Sequence, residues 1–117
     1  MIELSWPPKE LNPNSTAKLR AKMRAKKAHR EEAYYATKAA LGAGYRVPAD
    51  TELPIIIAFY PPDHRRRDRD NCIGSMKRAQ DGIAQALGLD DHFFRPTYIF
   101  GEPVKGGKVV VTIGGAQ

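Results

Sequence analysis

Cysteine is almost missing from these 117 residues, Cys72 being the single one. One thiol excludes an internal disulfide and a thiolate zinc site, and it fits a reducing, cytoplasmic setting. Long apolar runs are missing as well. The longest, Ile55 to Tyr60, is far too short to span a bilayer, and Met1 to Trp6 lacks the basic start and apolar centre of a signal peptide. A soluble intracellular chain with no membrane span is therefore expected. Acid is in deficit, with 13 Asp and Glu against 19 Lys and Arg, a net charge of +6. The balance points to a polyanionic partner, most commonly nucleic acid, although charge alone fits an anionic membrane surface equally well. Internal repeats and low-complexity linkers are absent.

What is present is ordinary for a globular α/β fold: 42% apolar and 27% charged residues, enough for one domain over residues 1–117 with a core of modest size. Oligomerisation would be unsurprising at this length. Ile2, Leu4 and Trp6 alternate with polar residues, the period of a half-buried strand, and Pro7-Pro8 ends it. Asn14-Ser15-Thr16 offers capping oxygens, and no proline or glycine interrupts Ser15 to Leu41, so one long helix is expected there, closed by Gly42-Ala43-Gly44. Leu53 to Tyr60 is a β-prone run that reads as a central strand covered on both faces. Apolar residues at Ile73, Met76, Ala79, Ile83 and Leu87 predict a second helix capped by Gly88. Pro96–Val104 and Val109–Ile113 read as strands joined at Lys105-Gly106-Gly107-Lys108 into a terminal hairpin, with 114–117 frayed. The order β-α-β-α-β-β implies helices packed on a single mixed sheet.

The long helix is densely basic. Lys18, Arg20, Lys22, Arg24, Lys26, Lys27 and Arg30 place seven positive charges in thirteen residues, wrapping much of its circumference and leaving Leu19, Met23, Tyr34 and Leu41 on a narrow apolar side. Its first half is expected to project as a phosphate-contacting arm; an ordinary solvated face is the bland alternative.

Between the central strand and the second helix lies Asp63-His64-Arg65-Arg66-Arg67-Asp68-Arg69-Asp70-Asn71. In an extended segment Asp68 and Asp70 project to one side and can converge on a hard cation, while Arg65, Arg66, Arg67 and Arg69 supply guanidinium groups for phosphates. A metal held there would polarise a phosphoryl oxygen and activate water, the requirements of phosphodiester hydrolysis. An Asp before a helix also serves simply as its N-cap, and an Arg can pair with a neighbouring acid instead. Asp70, Gly74, Lys77 and Asp81 fall on one helical face; a small residue at Gly74 suits either a close phosphate or metal or a close helix crossing. Asp90-Asp91 follows the helix as an adjacent acidic pair, open to water or holding a metal. An EF-hand fails, because Ile73 and Ala79 occupy the positions that need Gly and Glu.

The run Arg65-Arg66-Arg67-Asp68-Arg69-Asp70-Asn71, then a helix carrying a lysine and an aspartate, then Ala86-Leu87-Gly88-Leu89-Asp90-Asp91, resembles the RusA family of Holliday-junction resolvases, especially its phage and prophage members. The likeness extends from Ser5-Trp6-Pro7-Pro8 to the end of the chain and is densest from Pro61 to Asp91. It implies a homodimeric, Mg²⁺-dependent (or Mn²⁺-dependent) endodeoxyribonuclease that nicks opposed strands of a four-way DNA junction. Asp68, Asp70 and Asp91 would bind the metal, with Asp90 a further ligand or supporting acid. Lys77 would stand in for a family lysine whose place here is taken by Gly74. A two-fold dimer also suits a junction with two symmetry-related strands to cut. The competing reading is a non-catalytic basic nucleic-acid-binding protein whose acids are caps and ion-pair partners.

Overall fold

The computed structural model describes residues 1–42, 47 and 51–114. Four strands, β1 (Ile2–Ser5), β2 (Leu53–Tyr60), β3 (Phe94–Phe100) and β4 (Lys108–Ile113), form one mixed sheet in the order β1-β4-β2-β3. Three helices accompany it: α1 (Leu19–Leu41), α2 (Arg69–Gly74) and α3 (Lys77–Leu87), with one-turn 3-10 segments at Lys9–Leu11 and Asp91–Phe93. The result is a single α/β domain.

The register explains why the sheet is one-sided. Ile2, Leu4, Ile55, Ile57, Phe59, Val109 and Val111 meet as cross-strand partners on one face, and all are essentially buried. Met76, Ala79, Ile83 and Ala33 of the helical layer complete this core. Coverage of β2 on both faces is not what forms: the alternate residues Ile56 and Tyr60 stay half-buried, and Ile99 beside Ala58 is 45% exposed. Ala58 is buried all the same, so the β-prone run reflects an interior strand with helices on one side only.

The expected terminal hairpin does not form either. β3 pairs with β2 in parallel (Leu53↔Phe94, Phe59↔Phe100), whereas β4 runs antiparallel to both β2 and β1. Residues 101–107 carry the chain across the end of β2, tied there by Gly101 N–H to the Phe59 carbonyl (2.9 Å) and Val104 N–H to the Pro61 carbonyl (2.8 Å). Gly106 and Gly107 turn it at φ 80° and 69°. An isolated hairpin would have left β2 with one partner, whereas the straddle pairs both of its edges. Gly114 N–H bonds the Pro54 carbonyl (2.8 Å), so the expected fraying does not begin at 114; 115–117 lie outside the described residues.

α1 starts at Leu19 rather than Ser15. Ser15 Oγ accepts from Ala17 N–H (3.1 Å) and Asn12 Oδ1 from Asn14 N–H (2.8 Å), so these side chains close local turns instead of capping the helix. Lys18 is the N-cap residue and makes no side-chain cap bond. Gly42 closes the other end; Ala43 and Gly44 fall outside the described residues. The packed stripe is also not the expected one. Leu19 and Met23 are 70% and 59% exposed, and the inward residues are His29, Ala33 and Thr37, four apart. Small side chains there let α3 come close: a Cβ on Gly82 would sit 2.1 Å from the Arg30 carbonyl oxygen. Gly82→Ala should therefore cost about 1–3 kcal/mol by forcing the helices apart, read as a lower urea midpoint at unchanged slope.

Buried His29 has no hydrogen-bond partner for Nε2, and burial lowers its pKa from 6.5 despite the opposing pull of Glu32. A depressed folded pKa means the neutral ring stabilises the fold above pH 6.5, and stability falls as pH drops toward the folded value. The Tm measured at pH 5.5 should thus lie below that at pH 7.5, and His29→Gln should flatten the difference.

Candidate active site and nucleic-acid interface

The helix expected from Asp70 to Leu87 breaks into α2 and α3. Ser75 Oγ donates to the Cys72 carbonyl (2.7 Å) and Met76 N–H bonds the Ile73 carbonyl three residues back (3.1 Å), which tightens the path into a turn between them. Asp68 stands at the α2 N-cap, its Oδ1 accepting from Asp70 N–H at 2.8 Å. The two acids therefore do not share an extended segment: Asp68 is extended, while Asp70 lies in the first helical turn. Both are exposed.

Lys77, in the first turn of α3, contacts two acids of the sequence pattern. Its Nζ hydrogen-bonds Asp91 Oδ2 and lies 3.4 Å from Asp81 Oδ1, and Arg78 reaches Asp81 Oδ2 at 3.1 Å. The hydrogen bond to Asp91 is the main cause of a raised Lys77 pKa, with Asp81 adding to it. Lys77 is thus held cationic at neutral pH, which suits it to an electrostatic contact better than to the part of a base. Asp90 stands beside Asp91 and has its own partner in His92. It accepts from His92 N–H (3.0 Å) and pairs with His92 Nδ1 (2.9 Å), contacts that hold its carboxyl below the usual range.

The five acids and one lysine singled out by the sequence thus show two sets of contacts: Asp68 with the Asp70 backbone, and Lys77 with Asp81 and Asp91, Asp90 standing beside Asp91. Among the described residues no group of three or more His, Cys, Asp or Glu side chains is disposed to hold a metal. A Mg²⁺ ion needs only one or two protein carboxylates when waters and a substrate phosphate fill its remaining positions, so Asp68 and Asp70 fit that role; Asp91 is engaged by Lys77. Gly74 is exposed at the edge of a cleft but packs close to Pro13: a Cβ there would lie 2.7 Å from Pro13 Cγ.

The arginines divide into two kinds. Arg67 pairs with Asp63 Oδ1 (2.9 Å), donates to the Asp63 and Arg65 carbonyls, and lies over the Trp6 ring at 5.5 Å. The Arg65 N–H, foremost, and the Arg67 guanidinium hold the Asp63 carboxyl below its ordinary value. Arg69 covers Phe100 at 4.8 Å. Arg65 and Arg66 are exposed and enter no ion pair among the described residues, so they are the loop cations free for phosphate.

The basic arm does not project freely. Lys22 and Lys26 are half-buried and share a cleft of about 260 Å³ with Gly74, Lys77 and Arg78, while Lys26, Lys27 and Arg30 border a neighbouring one with Arg78 and Asp81. Lys18, Arg20 and Arg24 are exposed along the same helix. The aromatic supports Trp6, Phe59 and Phe100 were not legible as site residues; the Trp-Pro-Pro beside a strand end was their one sequence signal.

No family model matches the chain. A protein of Xylella fastidiosa (strain Temecula1 / ATCC 700964), described as uncharacterized, is 36% identical over 115 residues, spanning 97% of this chain and 75% of that one. The chain belongs to the same family as that protein. Among the described residues, no helix is long and apolar enough to cross a membrane.

Proposed function

We propose that the protein is a structure-selective endodeoxyribonuclease of the RusA type. On this reading it acts as a cytoplasmic homodimer on four-way DNA junctions and hydrolyses phosphodiesters with Mg²⁺ or Mn²⁺. The observation that carries the reading is the cavity that Asp68 lines together with Arg65 and Arg66, which shares Asn12 and Ser75 with the cleft where Lys22 and Lys26 of the basic helix meet Lys77 and Arg78. Cations suited to a DNA backbone and acids suited to a metal thus border the same surface.

Asp68 and Asp70 would hold the ion, which when bound supplies Lewis-acid activation of the phosphate and of water. Lys77, kept cationic by Asp91 and Asp81, is suited to offset charge that builds on a phosphate in the cleft. Arg65 and Arg66 would hold flanking phosphates. The test is cleavage of a labelled four-way junction and a matched linear duplex, in Mg²⁺ or EDTA. Paired nicks confined to the junction and to Mg²⁺ are expected. Binding without cleavage in all conditions would overturn the nuclease reading.

That second outcome would favour a non-catalytic DNA binder, and a specific observation supports it: Asp68 caps α2 and Asp91 pairs with Lys77, the bland roles of both acids. Either reading predicts a steep salt dependence of binding. Lys22→Ala combined with Lys26→Ala should reduce the slope of log K against log salt concentration by about 2, one phosphate contact for each lysine.

A further inference from the structure

The cavity that opens beside the arginine loop has Asp63 and Asp68 in its lining but walls that a metal site does not require. It holds about 410 Å³ between Trp6-Pro7-Pro8, the loop from Pro62 to Asp68, and the first turns of α2 at Asn71 and Cys72. Its walls differ in chemistry. One is flat: the Trp6 ring, braced edge-on by Phe59 at 6.0 Å, carries the Arg67 guanidinium 5.5 Å above it. Asp63 and two backbone carbonyls engage both terminal nitrogens of that guanidinium and hold its plane, so Arg67 is a shelf and not a mobile phosphate clamp. The rim is cationic, with Arg65 and Arg66 exposed and unpaired among the described residues. On the α2 side the half-buried Asn71 amide lines the cavity with no side-chain hydrogen bond among the described residues, offering a donor and an acceptor.

A planar shelf, an amide at its edge and two loose cations at its mouth suit a ligand that is flat and polar at one end and anionic at the other. A nucleotide is such a ligand: bases stack on aromatic or guanidinium planes, and their edges hydrogen-bond to amides. A base still paired and stacked in duplex cannot enter a concave site, whereas one lifted from the stack can. We propose that this cavity takes up one unstacked nucleotide of a DNA strand, its base against Arg67 and Trp6 and its phosphate against Arg65 and Arg66. The inference rests on the DNA-binding reading above and adds a site that favours strands with unstacked bases. Because Asp68 lines the same cavity, the captured nucleotide would neighbour the phosphate presented to Asp68 and Asp70.

Trp6 is the single tryptophan in the chain, so its fluorescence reports this cavity directly. In EDTA, where no cleavage occurs, a thymidine tetranucleotide should quench it saturably, and inorganic phosphate at the same concentration should not. Fluorescence anisotropy of a labelled tetranucleotide should show about tenfold weaker binding for Arg67→Lys, which keeps the charge and removes the plane. Arg65→Ala with Arg66→Ala should lower affinity and salt dependence while leaving the quench at saturation unchanged. Binding seen by anisotropy without any quench would overturn the proposal, as would absence of binding or equal quenching by phosphate. Junction cleavage without quenching would sink the pocket and leave the nuclease standing; quenching without cleavage would do the reverse.

Discussion

Asp70→Asn should lower junction cleavage by a factor on the order of a thousand while leaving junction affinity within about twofold of wild type. The separation follows from what the carboxylate does in the fold. Its backbone N–H is bonded to the Asp68 side chain, and its own side chain is exposed in the first turn of α2, so an amide of the same shape leaves the helix start intact. The charge is what is lost, and charge is what a cation requires. Cleavage rates under single-turnover conditions and Kd from anisotropy in EDTA measure the two halves independently. An unchanged rate would remove Asp70 from the reaction, and a large loss of affinity would make it a binding residue. Asp68→Asn is the less clean experiment, because Asp68 also caps α2 and its replacement changes helix stability at the same time.

Phe59→Ala should destabilise the fold by about 3–5 kcal/mol, a large share of what a domain of this size possesses. Phe59 is fully buried in the central strand, stacked on Phe100 (4.9 Å between centroids, 8° between planes) and met edge-on by Trp6. Removing it leaves a void among the rings of Trp6, Tyr98 and Phe100. Urea unfolding would register the loss as a lower midpoint. The same ring connects the core to the arginine loop, since Arg67 lies on Trp6 and Arg69 on Phe100. Phe59→Leu, which keeps most of the volume, should accordingly retain most of the stability while loosening both arginines, visible as a changed Trp6 emission before any DNA is added.

Much of this was legible in the residues, and the parts that were not share a cause. The β-prone run from Leu53 to Tyr60, the glycine caps at Gly42 and Gly88, and the Lys77–Asp81 pair are all written in local spacing. Local spacing does not say which strand will lie beside which. Phe94–Phe100 and Lys108–Ile113 carry hairpin-like sequences, yet β2 separates them because its two edges both need partners. Two helical glycines show the same limit. Gly74 stands out beside the acidic motif and proves to pack close to Pro13, whereas Gly82, between Asp81 and Ile83, is a point where α1 and α3 touch. Asp68 and Asp70 were expected to converge from an extended segment; the helix starts two residues too early for that, because the Asp68 carboxylate itself initiates it.

The insertion of β4 between β1 and β2 has a kinetic side. Ile2 pairs with Val111, so β1 has no partner until residues 108–113 have emerged, and β2 retains an open edge for the same interval. Contacts between such distant parts of a chain are slow to form, and unsatisfied strand edges are templates for pairing with other molecules. During synthesis the half-built sheet is thus the vulnerable species. The folded form escapes that hazard only when its last strand slides into the middle.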